Sequence, residues 1–217
     1  MRVNVQRKRV RQAVACVLFT LTANAAFAGG FSEPQFATPH PPLPQIDDWR
    51  GFYAGGMLSF DSGYLHFTNA TTNPPISQYR ALARSVTFGG FGGYNFQRGG
   101  FVYGLEGAVS SGGIPRANSP QQKVGTIFDI KARAGYTSGS ALFYGTAGWS
   151  LSQYDNFGSY HPLSGINFGA GIDYRINDQL FIGVEYLVRD IAGDGFKPGN
   201  VTRAHIQSAQ LRVGWRF

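Results

Sequence analysis

Cysteine is almost missing from this 217-residue sequence, with Cys16 as its one example. Charge is scarce as well, since Asp, Glu, Lys and Arg together make up 14% of the chain. Beyond the N-terminal stretch no apolar run approaches the ~18 residues of a membrane-spanning helix. The first absence excludes a disulfide scaffold and any thiolate metal site. Histidine is limited to His40, His66, His161 and His205, and no HxS or GxSxG element accompanies them. A nucleophile paired with a base is therefore not written into the chain, and neither a catalytic residue nor a metal site is expected.

The N-terminus places Arg7, Lys8, Arg9 and Arg11 before AVACVLFTLTANAAFA, which closes on the small residues Ala26 and Ala28. This pattern predicts a signal peptide over 1–28. Cys16 sits too early in the apolar stretch for a lipoprotein cleavage site. Removing the segment takes five of the nineteen basic residues and none of the twelve acidic ones, so the formal charge falls from +7 to +2. A basic nucleic-acid-binding surface is thereby excluded. Residues 29–48 hold five prolines in a polar setting, which reads as an extended periplasmic lead-in to a single domain over 49–217.

What the chain has in quantity is glycine (30 residues) and aromatics (15%), arranged in period-two segments. Eight are predicted: 51–61, 84–96, 101–110, 125–136, 141–153, 165–176, 179–190 and 205–217. Most are near the ~9–11 residues that a tilted strand needs to cross a bilayer. QRGG, TSGS and ND make short turns after the second, fourth and sixth segments, whereas long polar stretches follow the first, third, fifth and seventh. An up-and-down antiparallel barrel with both termini in the periplasm requires that alternation, with the long stretches as four extracellular loops. The fold class predicted is therefore an all-β, eight-stranded transmembrane barrel in a bacterial outer membrane.

The faces follow from the alternation. In 165–176, Ile166, Phe168, Ala170, Ile172, Tyr174 and Ile176 oppose Asn167, Asp173 and Arg175. The apolar set must meet lipid, since an inverted register would place charge at the bilayer midplane at a cost of ~2–4 kcal/mol for a basic residue. The predicted lumen then collects Glu106, Asp129, Asp173 and Glu185 with Lys131, Arg133, Arg175, Arg189, Arg212 and Arg216. An eight-stranded barrel holds little besides its own side chains, so these charges are expected to form a structural plug. The inward glycines Gly169, Gly171, Gly183 and Gly214 are expected to make room for the long arginines. Tyr103, Tyr136, Tyr144, Tyr174 and Trp215 are expected in interfacial girdles. GGFGGYNF at 89–96 lies inside an alternating strand and so is not a phosphate loop. A soluble lipocalin-like barrel has the same alternation with its faces exchanged; the aromatic C-terminal strand ending on Phe217 favours the membrane barrel.

WRGFYAGGMLSF at 49–60, GINFGAGIDYRINDQLFIGVEYLVRDIAG at 165–193 and LRVGWRF at 211–217 resemble the porin-like small outer-membrane proteins of alphaproteobacteria. That family includes surface antigens and hemin-binding proteins and is related to opacity-type adhesins. The resemblance implies that Phe217 is the signal read by the barrel-assembly machinery. It does not fix function, for which three readings remain: a structural and surface-interaction protein, a small-solute porin, or a hemin-binding surface protein. No resident cofactor is expected, but the resemblance makes hemin the first ligand to consider. His66, His161 and His205 are expected at the extracellular rim with Tyr79, Tyr154 and Tyr160, and Arg80, Arg116 or Arg203 would meet the propionates. A host or surface ligand held by the loops is the other partner expected.

Overall fold

Side chains alternate out and in along β3 (Phe101–Ser110) without a break, exposed then buried at all ten positions. Successive residues of a strand point to opposite faces, so one such strand defines a wall with two solvents. The computed structural model describes residues 48–69, 72, 75–195 and 199–217. The expected signal peptide and the lead-in through residue 47 lie outside the described residues. The other strands are β1 (Gly51–Asn69), β2 (Ile76–Arg98), β4 (Ile114–Arg116), β5 (Ser119–Val124), β6 (Ile127–Ser138), β7 (Ala141–Asn156), β8 (Ser159–Arg175), β9 (Leu180–Asp194) and β10 (Asn200–Arg216).

All pairings are antiparallel, and β1 pairs with both β2 and β10, so the sheet closes. The seam between β1 and β10 runs in register from Tyr53↔Arg216 to Asn69↔Asn200. Closure satisfies the ladder of every strand, which a hydrocarbon surrounding demands. Eight strands, β1, β2, β3, β6, β7, β8, β9 and β10, form the ring at the level of the short turns. This is the predicted up-and-down barrel.

Toward the other end the ring changes members. There β4 and β5 form a hairpin that pairs with β2 at Leu82↔Arg116 and with β7 from Gln122↔Asn156 to Val124↔Tyr154. An upper storey thus closes through β4 and β5 where the lower one closes through β3 and β6. Sequence reading placed long loops here. The stretch after the fifth predicted strand is instead strand up to a two-residue turn, Phe157-Gly158, where φ is positive at both residues (53° and 87°) as a tight hairpin requires. The Asp155 carboxylate accepts the Gly158 N–H at 2.8 Å and fixes the turn.

The outer surface of the lower storey is apolar. Phe60, Phe88, Leu105, Ile130, Phe143, Phe168, Val184 and Val213 are all exposed there, and Tyr103, Tyr136, Tyr174 and Trp215 sit among them as expected. Residues this apolar remain outward because lipid, not water, is their solvent.

Candidate functional site

The lumen is filled in layers. At the end with the short turns, Trp49, Leu142, Val102 and Phe181 pack as a buried apolar stopper. Trp49 is 1% exposed, and its backbone N–H donates to Gln97 Oε1 at 2.6 Å. Arg175 and Arg216 lie over its ring at 5.3 and 5.8 Å. Arg175 also donates to the Asp48 carbonyl, so it belongs to this mouth.

Above the stopper lies a network of three acids and three bases. Lys131 Nζ is 2.8 Å from Glu106 and 2.5 Å from Glu185. Arg133 reaches Glu106 at 3.2 Å and Asp173 at 2.6 Å. Arg212 is 2.5 Å from Glu106 and also binds Glu185. Tyr53 donates to Glu106 at 2.9 Å, and Tyr144 donates to Glu185 at 3.0 Å. Each charge here is nearly fully buried. Burial costs several kcal/mol per ion unless the partners are close and well oriented, and this arrangement supplies such partners.

A second layer follows. Arg189 forks onto Asp129, with Nη2 at 2.6 Å and Nε at 3.0 Å, and Ser150 donates to the same carboxylate at 2.6 Å. Arg189 also donates to Ser208 at 2.7 Å; Ser208 donates to Asp61 at 2.5 Å, as Thr87 does at 2.6 Å. Asn167 closes the layer by donating to Ser150 at 2.8 Å. Between them the two layers tie all eight barrel strands together. Above them Leu65, Ile114, Val124, Ile127, Leu163, Ile191 and Ile206 form an aliphatic stopper with Tyr154. Tyr154 lies three residues beyond Leu151, the last outward apolar residue of β7. Burial holds its hydroxyl above the usual phenol range, against the opposing pull of the Arg116 guanidinium.

Sequence reasoning missed Asp61, Tyr53 and Tyr144 as parts of this interior. Tyr144 was expected in an outer girdle, yet it is 5% exposed and faces inward with Leu142 and Thr146. That parity was readable, and the general preference of tyrosine for interfaces obscured it. The inward glycines also serve different neighbours from those expected. A Cβ at Gly183 would lie 2.1 Å from Asp173 Oδ1, one at Gly214 2.2 Å from the Phe181 ring, and one at Gly171 2.5 Å from the Tyr144 hydroxyl. They admit an aspartate and two aromatic rings.

The three rim histidines do not converge. His66 lies within β1, stacked on Tyr79 at 4.3 Å and 4°, and His205 stacks on Tyr64 at 5.1 Å. Both alternate with buried neighbours (Leu65; Ala204 and Ile206), so they belong to the outer wall. His161 is on β8 opposite Tyr154 and shares the inward alternation of Leu163. A single iron cannot take ligands from both sides of the wall, so the expected three-histidine hemin site is not assembled. Arg203 is occupied by Asp190 at 3.5 Å.

The profile of the family described as "Outer membrane protein beta-barrel domain" matches residues 22–217. The 22 kDa outer membrane protein of Rhizobium leguminosarum bv. viciae is 27% identical over 81% of this chain and 82% of its own length. The 25 kDa outer-membrane immunogenic protein of Brucella canis is 26% identical over 93% of each chain. Among solved structures, Neisserial surface protein A matches with a TM-score of 0.44 at 16% identity, covering 77% of this chain and 97% of that one. With its closed ring, its apolar outer surface and a family match over most of its length, the chain belongs to the outer-membrane β-barrel proteins and resides in the outer membrane of a Gram-negative bacterium.

Proposed function

We propose that this protein is a closed, non-conducting barrel whose task is structural and surface-directed: it anchors a β-built rim outside the membrane and performs no catalysis. The observation that carries this reading is the filled lumen, with two charge layers held between an aromatic stopper and an aliphatic one. A solute path would have to break buried ion pairs whose separation costs about 3–5 kcal/mol each. Purified protein in planar bilayers is expected to give no large, stable open state, and steady porin-sized currents in most preparations would overturn the reading.

Outer-membrane lipid is the partner of the apolar surface. The barrel-assembly machinery is the partner of β10, with Phe217 as the signal. Phe217 is 80% exposed, and its backbone N–H donates to the Phe52 carbonyl at 3.0 Å, beside the seam between β1 and β10. Phe217→Asp is expected to leave export intact and lower the folded, heat-modifiable fraction in the outer membrane several-fold. An unchanged fraction would remove Phe217 from this role.

A further inference from the structure

Above the aliphatic stopper the upper storey opens into a cavity of about 400 Å³, within the range of small-ligand sites. Its lining includes Arg80 and Arg116, the amides of Gln78 and Gln122, Thr202, and the ring of Phe67, which packs on the stopper below. Among the described residues no carboxylate lines it. Arg80 Nη2 donates to Gln78 Oε1 at 2.8 Å, and Arg116 Nη1 donates to Gln122 Oε1 at 2.5 Å. Gln122 is in turn tied to Asn156 Oδ1 at 2.5 Å. Among the described residues neither guanidinium forms an ion pair. Each is oriented by a neutral amide, which fixes its position and leaves its charge uncompensated.

We infer that this cavity binds a saccharide carrying a phosphate or sulfate ester. Two guanidiniums that retain free N–H groups match a tetrahedral oxyanion, which accepts forked hydrogen bonds. Amides and a hydroxyl around them suit sugar hydroxyls, which both donate and accept. The aromatic floor offers a surface for the C–H face of a pyranose, and the volume suits one or two sugar rings. A divalent cation is excluded by the two positive charges, and a purely apolar ligand would leave both guanidiniums desolvated without partners. The inference deepens the surface-directed reading and depends on it for the outward placement of this end. Binding and conductance are separate measurements, so either can fail while the other stands.

The test is calorimetric titration of the full, folded protein in detergent with glucose 6-phosphate, glucose 6-sulfate, glucose and inorganic phosphate. Saturable binding of at least one ester is expected, weakened by salt, with glucose silent and inorganic phosphate several-fold weaker. Arg80→Gln combined with Arg116→Gln should weaken ester binding at least ten-fold with heat-modifiable migration unchanged. Arg203→Gln, on the same rim but paired with Asp190, should leave it intact. No saturable binding of either ester would overturn the proposal. So would equal binding by the double variant, an equal loss in Arg203→Gln, or inorganic phosphate binding as tightly as the esters. The two esters also distinguish which oxyanion the site prefers.

Discussion

Arg212, deep in the lumen, touches two carboxylates, whereas Arg116, at the outer rim, is held by a glutamine amide. The same side chain is thus used in two ways within one barrel. In the lumen water is excluded, an uncompensated charge is costly, and in the layer around Arg212 three acids answer three bases at short range. At the rim water screens and solvates, so a guanidinium can be left unpaired and available. The difference teaches that charge in this protein has to be read by level: matched charge marks the part that holds the barrel together, and unmatched charge marks the rim that the proposed surface role would use.

The comparison breaks most visibly if the matched layer loses its hub. Glu106 contacts Lys131, Arg133 and Arg212. Glu106→Leu should lower the stability of the folded barrel by about 3–5 kcal/mol, because removing one partner leaves buried charges uncompensated. Urea unfolding in lipid vesicles, followed by loss of heat-modifiable migration, measures it. A cost below 1 kcal/mol would mean that the lumen is wet and its charges screened.

A smaller effect should follow from crowding the same layer without removing any of its charges. Gly183→Val would drive a side chain into Asp173 and the neighbouring Ile172 carbonyl. About 1–3 kcal/mol of destabilisation is expected, as for overpacking in other cores, and the same unfolding assay reads it. The smallest effect belongs to the rim. The Arg203–Asp190 pair is 3.5 Å long, and its side chains are 56% and 37% exposed. Arg203→Gln should change stability by no more than about 0.5 kcal/mol. A loss comparable to that of Glu106→Leu would erase the distinction between the two levels.

The part of the fold that crosses the bilayer was legible because lipid imposes a strict two-sided code. Phe128, Ile130 and Ala132 against Asp129, Lys131 and Arg133 can be read in one register only. Outside the bilayer both faces of a strand meet water or polar neighbours, and the code lapses. This is why 62–69, 76–83 and 154–164 read as loop in the sequence, although the structure pairs most of them as strand. The β4–β5 hairpin carries Pro115 and Pro120 in a short polar stretch with no alternation to reveal it. Apart from Asp61, the charged members of the two lumen layers follow from parity. Their partners across the barrel do not, because register between non-adjacent strands depends on how the ring closes. The rim cavity is invisible for the same reason: Arg80 and Arg116 stand in the sequence as alternatives at one rim, and only the pairing of β2 with β4 brings them together.

The two-storey wall has a consequence for encounters at the cell surface. β1 continues nine residues beyond Phe60, which at an ordinary strand rise and tilt lifts the rim about 20 Å above the apolar surface. A rim made of loops would have to be frozen on contact, at roughly 1–2 kcal/mol for each residue ordered. Here much of that ordering is completed during folding, by the ladders that join β1, β2 and β10 up to Asn69, Ile76 and Asn200. An approaching molecule therefore meets a collar of fixed height and outline. Recognition by that collar should depend on shape that survives only in the folded barrel, and short linear peptides copied from it should compete poorly.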